Sequence, residues 1–327
     1  MKTIITRTPL RISFFGGGSD IKKFYSKKRG MVISSTIDKF IYVTIKKHGK
    51  TFDEKYRLNY QKSENVNNVN NIKNNIIRES LKYLKITEPL YISTIADIPS
   101  MSGLGSSSSF TVGLLKGLFA LKNKKISKKK LAELACKIEI DLLKSPIGKQ
   151  DQYAAAYGGI NKFVFYKKNV QVYSLKKKIN PNNFFNNLQL FFTGIYRSSY
   201  NILSSIKSNT KNKSSINTLV RNCEKAYNIF LKKDKKKIEM LGKLFDKSWK
   251  IKKSLGNKIT NKRINFYYDK AIKAGAYGGK ISGAGGGGFM LYLSPHNKKK
   301  LIINSLKNLT HVPINFEPEG SKIIYTD

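Results

Sequence analysis

The stretch Gly103-Leu104-Gly105-Ser106-Ser107-Ser108-Ser109 runs straight into the apolar run Phe110 to Leu121, and it constrains this chain more than any other feature. Glycines let a backbone come close to a ligand. The serines supply hydroxyls, and the loop then enters a helix N-terminus. There the unpaired N–H groups and the helix dipole favour an anion. In physical terms this is a phosphate cradle. It is not a Walker A loop, because no Gly-Lys-Ser/Thr follows. The competing reading is a flexible Gly/Ser linker, which expects polar flanks. Here both flanks are apolar.

Three further segments carry candidate chemistry. Gly283-Ala284-Gly285-Gly286-Gly287-Gly288 formally matches G-x-G-x-x-G. The strand-like Phe289 to Leu293 follows it where a dinucleotide-binding fold requires a helix. It is either a hairpin loop after Lys280-Ile281-Ser282 or a backbone packed closely on a phosphate or another loop. In Ile138-Glu139-Ile140-Asp141, read as helix, Glu139 lies among Ala135, Cys136, Leu142 and Leu143, with no lysine at those spacings. A carboxylate facing a core is costly unless it meets a cation. That cation is a metal ion or an ordinary ion-pair partner. Asp141, flanked by Lys137 and Lys144, is a solvated charge. Asp151 follows a Pro/Gly turn and by itself reads equally as a helix cap. Finally, Arg11-Ile12-Ser13-Phe14-Phe15 leads into Gly16-Gly17-Gly18-Ser19-Asp20. This is a strand ending in a tight turn, with polyol-binding groups or with Asp20 as a helix cap.

The rest of the chain reads as α+β without strict βαβ alternation. Thr3 to Phe15, Met31 to Ile45, Tyr91 to Ala96, Gly158 to Ser174, Leu188 to Phe192 and Lys322 to Tyr325 are strand-like. Ile76 to Leu84 and Ser127 to Lys144 are helical, as is most of 200–275. Gln61 to Asn75 reads as loop, and the Asn-rich Asn180 to Asn187 as a linker. The expected division is therefore 1–180 and 188–327. A chain of 327 residues, 40% hydrophobic and 11% aromatic, excludes full disorder and allows one large domain or two ordinary ones. No apolar run approaches a membrane span, and no secretory signal is visible. The widely separated Cys136 and Cys223 suit reduced thiols in a cytoplasm. Three scattered histidines make a zinc cluster a poor reading.

The net charge of +42 prompts a nucleic-acid reading. Only eight of the 62 basic residues are Arg, however, while Asn numbers 29. Arg is what bidentate phosphate and base readout favours. The lysines read as a compositional bias spread over the surface, with weak nonspecific polyanion binding as its consequence.

Taken together and in order, Thr8-Pro9-Leu10-Arg11 with Gly16 to Asp20, Pro99 to Ser109, and Lys280 to Gly288 resemble the three motifs of the GHMP small-molecule kinases. The resemblance spans essentially the whole chain. It implies an N-terminal domain like domain 2 of ribosomal protein S5, a ferredoxin-like C-terminal domain, and an active site between them. Within the family the chain is most similar to the branch acting on D-glycero-D-manno-heptose 7-phosphate, through its Pro-Leu-Arg-Ile-Ser and Gly-Gly-Gly-Ser-Asp segments and the run Gly148 to Gly159. The implied reaction is ATP-dependent phosphorylation of the anomeric hydroxyl of a sugar phosphate, in the synthesis of activated heptose for surface polysaccharide. Gly17-Gly18-Ser19 stands where galactokinase and mevalonate kinase carry Gly-Glu-His, which disfavours galactose and mevalonate; an L-fucokinase-like activity stays open.

The resemblance places ATP on Pro99, Gly103, Leu104, Gly105, Ser106, Ser107 and Ser108, and Mg²⁺ on Ser107 and Glu139. It makes Asp151 the catalytic base and Arg11 the cation near the transferred phosphoryl. It sets Gly17, Gly18, Ser19 and Asp20 against the sugar, and Ser282, Gly283 and Gly285 against substrate or the nucleotide loop. The cation that grips the sugar's own phosphate is not assignable among 54 lysines. The expected partner is a small-molecule sugar phosphate, with no specific nucleic acid and no membrane, and homo-oligomerisation stays open. An RNA-binding protein on the same fold is the reading from another class.

Overall fold

A computed structural model describes residues 2–49, 52–196, 202 and 212–327. Two long β-branched runs set its frame. β1 (Thr3–Phe15) and β2 (Gly30–Lys47) pair antiparallel along nearly their whole length. β2 is long enough for its other edge to serve two partners. Residues 41–47 pair with β5 (Leu90–Ala96), and residues 30–35 pair with β6 (Ile160–Phe165). β3 (Tyr56–Asn59) runs parallel to β5 and forms a hairpin with β4 (Ser63–Val66), while β7 (Val170–Ser174) extends β6. The result is an eight-stranded sheet.

α3 (Ser106–Leu121) lies directly on β1 and β2. A Cβ on Gly113 would stand 2.6 Å from Thr8 Oγ1, so glycine is what allows this close approach. The Thr6 hydroxyl donates to the Gly113 carbonyl at 3.1 Å, and Ser109 Oγ donates to the Pro9 carbonyl at 2.9 Å. These contacts hold the front of the helix over the strand that carries Arg11.

The second sheet is antiparallel, in the order β11-β8-β10-β9: Thr310–Val312, Leu188–Phe192, Phe289–Leu293 and Gly278–Ile281. Between β8 and β9 run α7 (Asn212–Leu231), α8 (Lys237–Lys253) and α9 (Lys262–Lys273); α10 (Lys299–Ser305) precedes β11. This βαββαβ order is the ferredoxin-like arrangement. Of the helical stretch expected over 200–275, residues 200–201 and 203–211 lie outside the described residues. β12 (Lys322–Thr326) returns to the first sheet beside β1, so the chain after residue 188 contributes to both sheets. Among the described residues no helix is long and apolar enough to cross a membrane.

Three sequence expectations differ from the structure. The expected loop 61–75 contains β4, which pairs with β3, and whose buried Glu64 accepts from the backbone N–H groups of Lys73 and Asn74 in the rest of that segment. The helix expected through Lys144 ends as an α-helix at Cys136 and continues as a π turn, Lys137–Leu142. The expected linker 180–187 is a short helix, α6 (Pro181–Asn186), capped by Asn180 with Pro at its start. Its Phe184 and Phe185 are buried. Phe184 meets Phe14 of β1 and Phe230 of α7 edge-on, each at 5.2 Å between ring centres. The connection is thus a packed joint between the two sheets. Phe184→Ala is expected to cost ~3–5 kcal/mol, read by urea unfolding. A loss below about 1 kcal/mol would mean the joint carries no load.

Candidate active site

The serine loop is built as a close-contact turn. Gly103 and Gly105 have φ of +87° and +81°, and Gly105 is the N-cap of α3. Arg11 anchors the loop twice: its backbone N–H donates to the Leu104 carbonyl at 3.0 Å, and its Nη1 donates to the Gly103 carbonyl at 2.8 Å. The second glycine loop docks behind it. A Cβ on Gly288 would lie 2.1 Å from the Ser102 carbonyl oxygen, so no other residue fits between the two loops. Ser106 Oγ is buried and has no hydrogen-bond partner among the described residues, an orphaned hydroxyl in the cradle.

Arg11 is 4% exposed, and its guanidinium grips Asp151 in two parallel bonds, Nε to Oδ1 at 2.8 Å and Nη2 to Oδ2 at 2.6 Å. Asp151 sits in the first turn of α5 (Gln150–Tyr157), two residues past the N-cap Lys149, so it is not the cap. Its carboxylate also accepts from Gln150 Nε2 at 3.0 Å, and Gln150 Oε1 accepts from Ser13 Oγ at 2.9 Å. The Gly105 Cα lies against this pair; a Cβ there would stand 3.4 Å from Asp151 Oδ2. Asp20 does not cap the short helix that follows it, Lys22–Tyr25, whose N-cap is Ile21. Its carboxylate accepts from the backbone N–H of Gly18 at 3.1 Å and of Gln150 at 3.3 Å, which ties the first glycine turn to α5. Burial, and then the charge of Asp151, push the Asp20 carboxyl above its ordinary range.

Glu139 occupies the π turn and is 1% exposed. Its Oε1 accepts from Ser107 Oγ at 2.5 Å and its Oε2 accepts from Gln152 Nε2 at 2.6 Å. Burial raises its pKa despite these bonds. Among the described residues no Lys, Arg or His forms an ion pair with it. A buried carboxylate that faces a hydroxyl and lacks a cation is a donor set that fits Mg²⁺, which takes one or two protein oxygens and completes its shell with phosphates and water.

These groups border one cavity of about 910 Å³. Arg11, Gly17, Gly18, Asp20, Asp151 and Gly283 line one part of it. Pro99, Gly103, Gly105, Ser106, Ser107, Ser108 and Glu139 line the rest of the expected site. Four expected residues do not reach the wall. Leu104 is fully buried, facing the core. Ser19 spends its hydroxyl on the Gly16 and Met31 carbonyls, at 2.8 and 3.0 Å, stapling its own turn. Gly285 packs on Ile259, where a Cβ would meet backbone and side chain at 2.8 Å. Ser282 is buried at the end of β9 and its N–H bonds the Phe289 carbonyl at 2.8 Å.

The cavity also takes in residues the sequence did not nominate. Lys280 is buried in β9, donates to the Phe14 carbonyl at 3.0 Å and lines the floor with Arg11. Lys252 of α8 lines the same wall and donates to the Gly283 carbonyl at 2.5 Å. Tyr60 and Asn74 border the far end. One signal for Lys280 was present: it interrupts the apolar and small residues of β9, Gly278–Ile281.

Burial, and then the charge of Arg11, pull the Lys280 ammonium down to about 7 from 10.5. Between those two values the unfolded chain holds a proton that the folded chain has released, so stability gains with rising pH across that window. Below it the penalty of burying the charge is present in full. Urea unfolding at pH 7 and pH 10 is expected to show a larger gain in the wild type than in Lys280→Met. Equal gains would remove Lys280 from the titration.

The comparisons with known proteins agree with this geometry. A family model described as GHMP kinases N terminal domain matches residues 70–159, and one described as GHMP kinases C terminal matches residues 229–310. D-glycero-alpha-D-manno-heptose 7-phosphate kinase of Campylobacter jejuni is 34% identical over 94% of this chain and 94% of its own. Galactokinase of Pyrococcus furiosus is 24% identical over 92% of each. Among solved structures, a D-glycero-D-manno-heptose 1-phosphate kinase of Bacteroides thetaiotaomicron superposes with a TM-score of 0.79 at 22% identity, covering 98% of this chain and 99% of that one. Lactococcus lactis galactokinase complexed with galactose superposes with a TM-score of 0.77 at 17% identity, covering 98% and 95%. With both domain models matched and a relative of that identity aligned almost end to end, the chain belongs to the GHMP kinases, enzymes that transfer a phosphoryl group to a hydroxyl acceptor.

Proposed function

We propose that this chain is a cytoplasmic ATP- and Mg²⁺-dependent kinase that phosphorylates the anomeric hydroxyl of D-glycero-D-manno-heptose 7-phosphate, giving the 1,7-bisphosphate for activated-heptose synthesis. The substrate rests on the likeness to the Campylobacter enzyme. The chemistry rests on one observation: the Arg11–Asp151 pair lies against Gly105 at the mouth of the serine cradle.

The first-turn amides of α3 and the hydroxyls of Ser106, Ser107 and Ser108 hold the phosphates of ATP. Mg²⁺ on Glu139 and Ser107 neutralises phosphate charge when bound. Asp151 orients the sugar hydroxyl and takes its proton as the oxygen bonds to the γ-phosphorus and the bond from that phosphorus to ADP breaks. Arg11 stabilises the charge on the phosphoryl group in flight. It also holds Asp151 in place through both oxygens. Asp20, Gly17 and Gly18 face the sugar. Arg11 and Lys252 put positive charge on that wall, and Lys280, whose pKa burial lowers to about 7, can take up a proton beside them, which suits an acceptor that brings its own phosphate.

The direct test is an ADP-release screen with heptose 7-phosphate, mannose 6-phosphate, fucose and galactose offered side by side. Heptose 7-phosphate is expected to give the highest kcat/KM; fastest turnover on a free sugar would overturn the substrate. Asp151→Asn is expected to lower kcat about 10²- to 10⁴-fold while nucleotide binding measured by calorimetry persists. Full activity in that variant would remove Asp151 from proton transfer. For Glu139→Gln, calorimetric ATP affinity should lose its dependence on added Mg²⁺. A wild-type dependence in that variant would move the metal elsewhere.

A further inference from the structure

Among the described residues three cations line the cavity, and two of them have partners that account for their placement. Arg11 is matched by Asp151 and the Gly103 carbonyl. Lys252 donates to the carbonyls of Ile281 and Gly283, at 3.3 and 2.5 Å. Lys280 is different. It is 6% exposed, and among the described residues no carboxylate forms an ion pair with it. Its Nζ donates to the Phe14 carbonyl at 3.0 Å and lies 5.6 Å from the centre of the Phe245 ring on α8. A lysine buried without an acid is a cost to the fold that an apolar side chain of that length would avoid.

The groups around Lys280 leave that cost standing. Arg11 on β1 and Lys252 on α8 are like charges on the same wall. Burial pushes the Cys223 thiol on α7 up, so it stays neutral. Asp20 and Asp151 line the cavity, but backbone N–H groups hold the first and Arg11 holds the second. Burial first and Arg11 second therefore keep Lys280 at about 7. What this corner lacks is an anion.

Position says which anion. The Phe14 carbonyl stands two residues before Gly16-Gly17-Gly18, the turn at the acceptor end of the cavity. Arg11 instead meets Asp151 and the serine loop. Three residues of extended strand, roughly 10 Å, separate these two anchor points. That is about the length of a sugar with a phosphate on the carbon farthest from its anomeric hydroxyl. A hydroxyl presented to Asp151 thus leaves the sugar's own phosphate toward Lys280, while the phosphates of ATP belong to the serine loop.

We propose that Lys280 receives the acceptor's own phosphate and so selects a phosphorylated sugar over the free one, taking up a proton as that phosphate binds. The inference rests on the reading of the chain as a sugar-phosphate kinase, and it names the residue and the charge state behind that preference. The proton comes from the buffer and returns to it when the phosphate leaves. A phosphate dianion beside the amine favours its charged form. Above about pH 7 the empty site holds a mostly neutral Lys280, so binding brings a proton in. Below that value the amine is already charged, and uptake falls away.

The first test is calorimetry at pH 8 in two buffers of different ionisation enthalpy, with ADP and Mg²⁺ present, which counts protons taken up on binding. Wild type is expected to take up close to one with heptose 7-phosphate and none with free heptose; Lys280→Met is expected to take up none with either. No uptake in wild type overturns the proposal, and this reading needs no variant to fold. Uptake unchanged in Lys280→Met overturns it as well. In steady-state kinetics, Lys280→Met should lower kcat/KM for heptose 7-phosphate about 10- to 100-fold, chiefly through KM, and lower that for free heptose far less. If wild type uses heptose 7-phosphate yet the variant loses equally on both acceptors, the assignment of Lys280 fails and the substrate reading stands. If mannose 6-phosphate outpaces heptose 7-phosphate and depends on Lys280 in the same way, the heptose reading fails and the assignment of Lys280 stands.

Discussion

The site depends on one buried cation. Arg11 has almost no contact with water, and a guanidinium in that position costs several kcal/mol unless its donors are matched. Here they are matched by Asp151 and by the Gly103 carbonyl. The same side chain thus fixes the serine loop on one side and Asp151 on the other. The loop and α5 come from distant parts of the chain, and neither dictates the other's position without Arg11 between them. Loss of the guanidinium would leave a half-buried carboxylate with no countercharge, so the site fails structurally as well as chemically at this point.

Three carboxylates share this region and differ in what compensates them. Asp151 has an arginine, Asp20 has backbone N–H groups, and Glu139 has two neutral side-chain donors and no protein cation among the described residues. Burial raises the pKa of both Asp20 and Glu139. A cation arriving beside Ser107 would reverse the shift at Glu139, which gives the site a reason to bind metal that does not rest on family likeness. The π turn matters here. Its extra residue per turn changes the direction of the chain at Glu139, a distortion of the kind that accompanies functional positions.

The second sheet does more than complete the fold. Its glycine loop docks on Ser102 through Gly288, its Lys280 bonds the Phe14 carbonyl of β1, and α6 packs Phe184 between the two halves. The cavity lies where these contacts converge. Of the many lysines in the chain, the wall of the cavity takes in Lys252 and Lys280. The large formal charge is therefore a property of the surface, and the site works with a small number of cations held at specific places.

Sequence alone determined the local chemistry: a glycine-serine loop opening an apolar helix, an acid on an apolar helical stripe, and three motifs in a recognisable order. These are short-range patterns, set by backbone freedom, helix periodicity and side-chain polarity within a few residues. It misjudged the segment 180–187, where Asn and Pro masked two aromatic residues that the core needed. Of the expected site residues, Ser19, Leu104, Ser282 and Gly285 do not line the cavity, because motif membership alone does not say which positions of a turn face a ligand and which pack behind it. The meeting of Arg11 with Asp151 and the placement of Lys280 and Lys252 were decided only by tertiary structure. Each depends on contacts between segments far apart in the chain. Such contacts form when strands pair and helices pack, and no local pattern encodes their distance or direction.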